Sequence, residues 1–236
     1  MNTLAAPVRY PPRPLRYRLL NQVVRRLPVR GAHALNGFVL GRALGPADAG
    51  MAEEMKVAGA PAVTLALHEA DESAVAAIVA HPEALPEFVY RNRVAAGDRC
   101  LVLHADGEPV AYNWVSHARC CVLCGYPQAI EFATLAPGEA FTYDFYTYRA
   151  QRGHGYGRAL KRRLLARLAA DGVTRVCTVV LPHSGASLKI HLALGYRMES
   201  MVYGYRVNAW QYTRCSRARE RPALEAWLAA FAEGGH

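Results

Sequence analysis

The sequence predicts an α/β (α+β) domain in which helices flank a mixed sheet. The 236-residue chain is 52% hydrophobic, which is enough to fill a substantial core. Residues 139–148, 157–170 and 176–181 read in turn as a strand, an amphipathic helix and a short apolar strand covered on both faces. Asp106-Gly107 joins two alternating segments, 99–105 and 108–115, in the manner of an antiparallel hairpin.

A glycine-rich loop lies between the first of these strands and the helix. Its sequence is Arg152-Gly153-His154-Gly155-Tyr156-Gly157. Glycines at alternate positions let the backbone turn sharply and approach a ligand closely. Backbone amides that precede a helix N-terminus bind anions, and Arg152 adds a fixed cation. A diphosphate therefore suits this loop, and the alternative is an ordinary glycine turn.

The loop does not match two other phosphate-binding motifs. A P-loop requires Gly-Lys followed by Ser or Thr, whereas here Arg158 follows Gly157. A Rossmann fingerprint requires the spacing Gly-x-Gly-x-x-Gly at the first strand, and this loop lies two-thirds along the chain.

A second motif follows the apolar strand, which Pro182 ends. Residues 186–194 read as a helix that closes at Gly195, and Tyr196 begins a further strand toward Val207. The segment reads Ser184-x-x-Ser187-x-x-x-His191-x-x-Leu194-Gly195-Tyr196.

Together, the loop spacing Arg/Gln-x-x-Gly-x-Gly and the 184–196 segment resemble the GNAT (Gcn5-related) N-acetyltransferase superfamily, over about residues 62–207. The resemblance implies a mostly antiparallel sheet with a central splayed pair of parallel strands, 139–148 and 174–181, and binding of acetyl-CoA or another acyl-CoA. Two positions depart from the family pattern. Ser184 stands where asparagine is common, and His191 stands where many members have a tyrosine that protonates the leaving thiolate.

The resemblance also implies the residues of the site. The cofactor-binding residues expected are Phe145, Thr147, Arg152, Gly153, His154, Gly155, Tyr156, Gly157, Arg158 and Ser187. Asp144 is the expected proton acceptor for the amine, and a structural carboxylate is the alternative. His191 is the expected proton donor to the thiolate, and a helix-face histidine bonded to a neighbour is the alternative.

The chain divides into three predicted parts. Residues 1–60 form a basic N-terminal extension, partly helical and mobile over the first 14 residues; residues 61–208 form the acyltransferase domain; and residues 209–236 form a tail that ends in a helix at 221–231. Residues 1–47 contain eight arginines and no acidic residue. They suit an anionic membrane surface, an acidic carrier protein or nucleic acid, or else a basic helix packed on the core.

Six cysteines are interpreted from their surroundings. Cys100 and Cys177 lie in apolar strand patterns and are expected in the core. Cys120, Cys121 and Cys124 cluster near His117 in a stretch, 116–137, that reads as irregular. Packed thiols fit this cluster. The alternative is half of a zinc site formed by Cys121 and Cys124, but the sequence shows no second pair of ligands to complete it. No metal is expected.

Three classes of function fit the sequence. The first is direct N-acylation of a small-molecule amine or amino sugar by acyl-CoA. The second is a GNAT-fold acyltransferase supplied by an acyl carrier protein, and the third is a non-catalytic CoA-binding module. No interleaved aromatic and basic pattern indicates specific nucleic-acid binding. A cytoplasmic location is expected, because neither a signal-peptide layout nor an apolar run of spanning length is present, and an organelle transit peptide is the alternative for the arginine-rich leader. A monomer or homodimer is expected.

Overall fold

The computed structural model describes residues 22, 32–50, 63–82, 84–123, 129–207, 210–216, 222–226 and 228. The expectations for residues 1–14 and for Cys124 lie outside these residues. The chain forms two compact units. Residues 42–120 and 134–178 make up the first unit, and the described residues before 42, from 121 to 133 and after 178 make up the second.

The elements are numbered here in chain order. The strands are β1 (Ala32–Ala43), β2 (Leu65–Glu69), β3 (Arg99–Ala105), β4 (Glu108–Ser116), β5 (Arg119–Leu123), β6 (Ala129–Thr134), β7 (Glu139–Thr147), β8 (Arg175–Val180), β9 (Arg197–Val207) and β10 (Trp210–Cys215). The helices are α1 (Pro46–Ala49), α2 (Glu72–Ala80), α3 (Glu87–Ala95), α4 (Tyr156–Ala170) and α5 (Gly185–Ala193), and residues 222–226 are also helical. None of the helices in the described part of the chain has the length and apolarity needed to cross a membrane.

The sheet of the first unit has the strand order β8-β7-β4-β3-β2. Its neighbours pair antiparallel except for β7 and β8, which pair parallel. Asp106 and Gly107 both have positive φ, 50° and 89°, so the β3–β4 hairpin turns as the sequence predicts. The mixed, mostly antiparallel sheet with one parallel pair is thereby confirmed.

The parallel ladder between β7 and β8 is short. It begins with Glu139 opposite Arg175 and ends with Thr142 opposite Thr178. β7 continues beyond that rung to Thr147, still paired with β4 on its other side. The last part of β7 is therefore a strand whose ladder with β8 has already ended.

A β-bulge interrupts β7 just after this point. Trp114 lies opposite Tyr143, and Tyr112 lies opposite Tyr146, so β7 spends one residue more than β4 between the two rungs. Asp144 takes the left-handed conformation there, with φ of 48°. Because a non-glycine residue adopts positive φ at a cost, its surroundings must hold this turn in place.

The second unit has its own antiparallel ladder, in the order β10-β9-β1. Ala32 lies opposite Val207, and Trp210 lies opposite the same Val207 from the other side. β5 and β6 form a separate two-stranded sheet. Val39, Val122 and Val202 make a small apolar cluster in this unit.

Four strands were not predicted from the sequence. β1 lies in the stretch that reads as a basic extension, β5 and β6 lie in the stretch that reads as irregular, and β10 lies in the predicted helical tail. β1 pairs with the distant strand β9, whereas β5 pairs with β6 and β10 with β9, its immediate predecessor in the chain. None of the four has a strong local strand pattern. The interpretation of residues 116–137 as irregular was therefore wrong, whereas the helix within the tail is confirmed at 222–226.

Lys161 of α4 departs from the simple amphipathic pattern predicted for residues 157–170, in which a charged residue would be exposed. Lys161 is fully buried. Each residue of an α-helix turns the side-chain direction by about 100°, so the Lys161 side chain points between those of Leu168 and Leu165, within the apolar face of α4. Burial alone lowers the pKa of its ammonium to about 7.

We expect Lys161→Met to raise the melting temperature, and the gain to depend on pH. Between pH 7 and about 10.5 the unfolded chain holds a proton on Lys161 that the folded chain releases, so the folded state loses stability as the pH falls through this window. The gain in Lys161→Met should be largest at pH 7 and should nearly vanish by pH 10. Thermal unfolding of both proteins across this range measures it, and an advantage independent of pH would contradict the low pKa.

Candidate functional site

The glycine loop opens α4 with an exposed backbone. Gly153 and Gly155 have φ of 85° and 81°, and an added Cβ at either would meet no atom within 4 Å. Gly155 is the N-cap of α4 and has no side chain to cap the helix. The amide groups of the first turn, which have no intrahelical acceptors, therefore face an open surface where an anion can bind.

The cationic and aromatic side chains of the loop are held on or near this surface. Arg152 donates from Nε to the Thr147 carbonyl oxygen at 3.1 Å, and its guanidinium lies 5.4 Å from the centre of the Tyr146 ring. Arg158 is exposed one turn into α4. His154 is exposed and stacks on the largely buried Tyr156, with 5.7 Å between ring centres.

The two strand residues that were expected to bind a cofactor lie on β7 beyond the end of its parallel ladder. Thr147 lies opposite Ala111 of β4. Phe145 packs against the apolar cluster that contains Leu160 of α4 and Leu103 of β3. Its ring lies 5.0 Å from the Lys161 ammonium. The backbone of this stretch is thus placed between the bulge and the glycine loop.

Asp144, the predicted proton acceptor, lies in the first unit and is paired with a buried arginine. Arg93 of α3 donates from Nη1 to Asp144 Oδ2 at 2.6 Å. The guanidinium lies 5.1–5.4 Å from the ring centres of Tyr90, Trp114 and Tyr143. Burial by itself lowers the pKa of Arg93, but the Asp144 carboxylate outweighs this and raises it. Asp144 is thus held as the partner of a permanent cation at the bulge.

Further polar groups of β4 and the loop before β3 fix the same region. Asn113 donates from Nδ2 to the Tyr143 carbonyl oxygen at 2.6 Å. The Tyr143 hydroxyl donates to Asp98 Oδ2 at 2.7 Å, and Arg119 also contacts that carboxylate. Burial, and then the Asp144 charge, raises the pKa of the Tyr112 hydroxyl. These contacts tie the bulge to β4 and to the loop before β3, and the raised pKa keeps the Tyr112 phenol neutral.

Ser187 and His191 lie together on α5, in the second unit. His191 is 1% exposed, and its Nδ1 lies 2.7 Å from the Ser187 carbonyl oxygen. A carbonyl only accepts, so Nδ1 carries a proton, and in the neutral ring Nε2 carries none. Tyr196 packs edge-on against the imidazole, with 5.0 Å between ring centres. This is the helix-face arrangement that the sequence left open as an alternative.

Four of the described cysteines are buried, namely Cys100, Cys120, Cys121 and Cys177, as expected for Cys100 and Cys177, whereas Cys215 is exposed. Burial, and then the Asp144 charge, raises the pKa of the Cys100 thiol to about 12, which opposes a role as a nucleophile. Cys120 and Cys177 are buried with their Sγ atoms 3.5 Å apart. Cys121 is buried in β5, whereas His117 is exposed. Among the described residues, no group of three metal-ligating side chains converges.

Two concave surfaces of the first unit lie away from the loop. One of about 1030 Å³ is lined by residues of α2 and α3, including Glu72, Glu87 and Val94. The other, of about 580 Å³, is lined by β2 and β3 and contains His68 and His104, whose rings are 5.3 Å apart. Burial, and then the neighbouring His68, lowers the pKa of His104.

Arg93 was missed by the sequence analysis, although a signal for it was present. Val89, Tyr90 and Arg93 are the buried residues of α3, at the spacing of one helical face. An arginine on an apolar face requires an acid elsewhere in the chain, but the spacing does not identify which one.

Comparison with known proteins agrees with this geometry. Residues 60–196 match the acetyltransferase (GNAT) family. No curated protein matches the chain.

Several solved structures are similar in fold. A GCN5-related N-acetyltransferase from Kribbella flavida is 20% identical, with 79% of this chain and 61% of that chain covered and a TM-score of 0.42. A glucosamine N-acetyltransferase region of a fungal multi-domain GH3 β-N-acetylglucosaminidase is 15% identical, with 81% and 23% covered and a TM-score of 0.51. A putative acetyltransferase from Salmonella typhimurium, solved with its cofactor acetyl-CoA, is 17% identical, with 58% and 82% covered and a TM-score of 0.39. The chain thus spans less than two thirds of the Kribbella chain.

We expect Arg93→Met to destabilise the protein by about 3–5 kcal/mol, because it leaves the Asp144 carboxylate largely buried without its cation. Arg91→Met is the matched control. Arg91 pairs with Glu87 at the exposed surface of the same helix, so its loss should cost less than about 1 kcal/mol. Urea unfolding measures both, and Arg93→Met with Asp144→Asn should cost less than the sum of the single changes. Equal, small losses for Arg93→Met and Arg91→Met would show that the buried pair contributes no more than a surface one.

Proposed function

We propose that this chain, which belongs to the GNAT acetyltransferase family because residues 60–196 match that family, transfers an acyl group from acyl-CoA to an amine. The proposed acceptor is a primary amine of a small molecule or amino sugar. The observation that carries the proposal is the open glycine loop at the N-terminus of α4. The acyl-CoA supplies the acyl group, acetyl or a larger one, as an activated thioester.

The loop fits the diphosphate of coenzyme A. The first-turn amides and the positive end of the helix dipole favour a doubly charged anion, and the open space at Gly153 and Gly155 lets it approach the backbone. Arg152 is fixed by Thr147 and Tyr146 and so presents its charge at little entropic cost. Arg158 is a second exposed cation for the phosphate on the nucleotide.

The pantetheine arm would follow β7 back from the loop. The ladder between β7 and β8 ends at Thr142, so the backbone of Phe145 and Thr147 is the proposed partner for the amides of the arm. The acyl end would then reach the bulge at Asp144. The proposed contacts are to the main chain, so their strength depends on the strand remaining rigid rather than on particular side chains.

Direct attack of the amine needs no covalent enzyme intermediate. The protein contributes by placing the reactants and by removing a proton from the ammonium. Asp144 is the proposed acceptor of that proton, directly or through water, with Arg93 keeping the carboxylate in place. His191 is the proposed donor to the thiolate, and with Nδ1 bound to Ser187 it gives a proton from Nε2 in its imidazolium form.

The acceptor is proposed to be a primary amine of a small molecule or amino sugar, which would meet the acyl group beside the Asp144 carboxylate. Product formation from acetyl-CoA, from acyl carrier protein or from neither separates the proposal from a carrier-dependent enzyme and from a non-catalytic module.

We expect Gly155→Val to abolish binding of coenzyme A, because a β-branched side chain strains a residue with φ of 81° and projects into the diphosphate surface. Gly172→Val is the matched control, since Gly172 has φ of 84° and open space at the other end of α4. Calorimetric titration with coenzyme A measures both variants. Unchanged affinity in Gly155→Val, or an equal loss in Gly172→Val, would remove the loop from the proposal.

We expect His191→Ala to lower kcat by about 10²–10⁴-fold while coenzyme A still binds, because a general acid contributes on this scale. His191→Tyr should restore part of the rate. Single-turnover measurements with acetyl-CoA and an accepted amine isolate the chemical step. A wild-type rate in His191→Ala would assign this residue to the packing of α5.

A further inference from the structure

Lys161 is one of few lysines in a chain whose basic residues are mostly arginines. Of 28 basic residues, three are lysines, namely Lys56, Lys161 and Lys189. Lys161 is fully buried, and Lys189 is exposed. An ammonium can lose its proton in an apolar site, whereas a guanidinium cannot. The residue type at this position therefore allows a buried base that is neutral in one state and charged in another.

Among the described residues, Lys161 has one weak hydrogen-bond partner and no carboxylate near its ammonium. Nζ donates to Thr142 Oγ1 at 3.3 Å, and the Phe145 ring is 5.0 Å away. Burial is the one cause that lowers its pKa to about 7, and no charged group contributes. On the described elements that pack against α4, the acidic groups Asp48, Glu69, Glu139 and Asp144 pair with Arg42, Arg99, Arg175 and Arg93 in turn. His68 contacts His104, and Glu108 is exposed.

The partner of Lys161 marks the end of the parallel ladder. Thr142 lies opposite Thr178 on the last rung. Thr142 Oγ1 in turn faces the Cys177 carbonyl oxygen at 3.4 Å, and Thr178 Oγ1 donates to the Thr142 carbonyl oxygen at 2.6 Å. Lys161 thus lies beneath the point at which β7 leaves β8.

Distance along β7 links this point to the glycine loop. Five fully extended residues, as from Thr147 back to Thr142, would cover about 16 Å, and the bulge at Asp144 shortens this distance. A ligand whose diphosphate binds at the loop and whose arm follows β7 therefore brings its thioester to the bulge and the tail of its acyl group toward Thr142. That tail meets the region of Lys161 rather than the arginines of the loop.

We propose that the acyl donor is the CoA thioester of a dicarboxylic acid, such as succinyl-CoA, and that Lys161 Nζ binds its terminal carboxylate. This rests on the proposed function, and it names the donor class of that same site. The carboxylate supplies the strong acceptor that Thr142 does not, and the apolar surroundings of Phe145 strengthen the pair. The amine takes up a proton as the carboxylate binds, because a neighbouring negative charge favours the ammonium.

Binding in the absence of an acceptor amine tests the proposal. Succinyl-CoA and butyryl-CoA have the same four-carbon acyl skeleton and differ in a carboxylate against a methyl group. We expect the wild-type protein to bind succinyl-CoA at least about tenfold more tightly, the scale of one charge-assisted hydrogen bond. Lys161→Met should remove the preference and leave butyryl-CoA binding within about threefold. The exposed control Lys189→Met should behave as wild type.

Calorimetry at pH 8 in buffers of low and high ionisation enthalpy adds a second measurement. The wild-type protein should take up a proton with succinyl-CoA and none with butyryl-CoA, and Lys161→Met should take up none with either. Circular dichroism checks that Lys161→Met is folded, and Lys161→Gln replaces it if it is not.

The outcomes separate the inference from the proposed function. Equal affinity of the wild-type protein for the two thioesters overturns the dicarboxylic donor and leaves the acyltransferase intact. A succinyl preference that survives in Lys161→Met overturns the role of Lys161. Failure of the wild-type protein to bind either thioester or coenzyme A overturns the proposed function itself.

Discussion

The short parallel ladder between β7 and β8 is the constraint on which the first unit depends. Four rungs hold the two strands together, and the ladder ends at Thr142. Because β7 then continues as the partner of β4, it can carry a bulge and deliver the glycine loop to the N-terminus of α4. A longer ladder would bury the backbone groups that the end of β7 now presents.

Arg93 and Lys161 are both buried in the first unit, and their surroundings compensate a buried positive charge to different extents. Arg93 keeps its charge, because it has the Asp144 carboxylate on one side and three aromatic rings around it. Lys161 has a hydroxyl and a ring, so burial acts against its charge. The first arrangement is permanent and suits a structural role at a strained residue. The second depends on proton occupancy and suits a group that changes state when a ligand binds.

Elements with a strong local sequence pattern were predicted correctly. The glycine loop, α4, the β3–β4 hairpin and the apolar strand β8 all have strong local signals, and each lies within about two residues of its expected position. The residues expected at the loop, from Arg152 to Arg158, do lie together. The burial of Lys161 could also have been predicted, because a helical wheel places it on the same face of α4 as Leu164 and Leu168.

Contacts between distant parts of the chain could not be predicted in this way. The pairing of Arg93 with Asp144 joins residues 51 positions apart, and no spacing rule relates a helix arginine to a strand aspartate. β1 is a strand because the distant strand β9 pairs with it, and its sequence has no alternation that distinguishes it from a loop. The assignment of Asp144 and His191 to proton transfer stays a prediction, because it depends on where a substrate binds.

The ladder between β1 and β9 also has a consequence for how the chain is made. Ala32 pairs with Val207, so this ladder cannot form until residue 207 has left the ribosome. The segments of the first unit, by contrast, are all available once residue 178 has left it. During that interval the edge of the 12-residue strand β1 that β9 later covers is open to other nascent chains. Slower translation between residues 178 and 207 would prolong that exposure, whereas a chaperone that covers the early strand would shorten it.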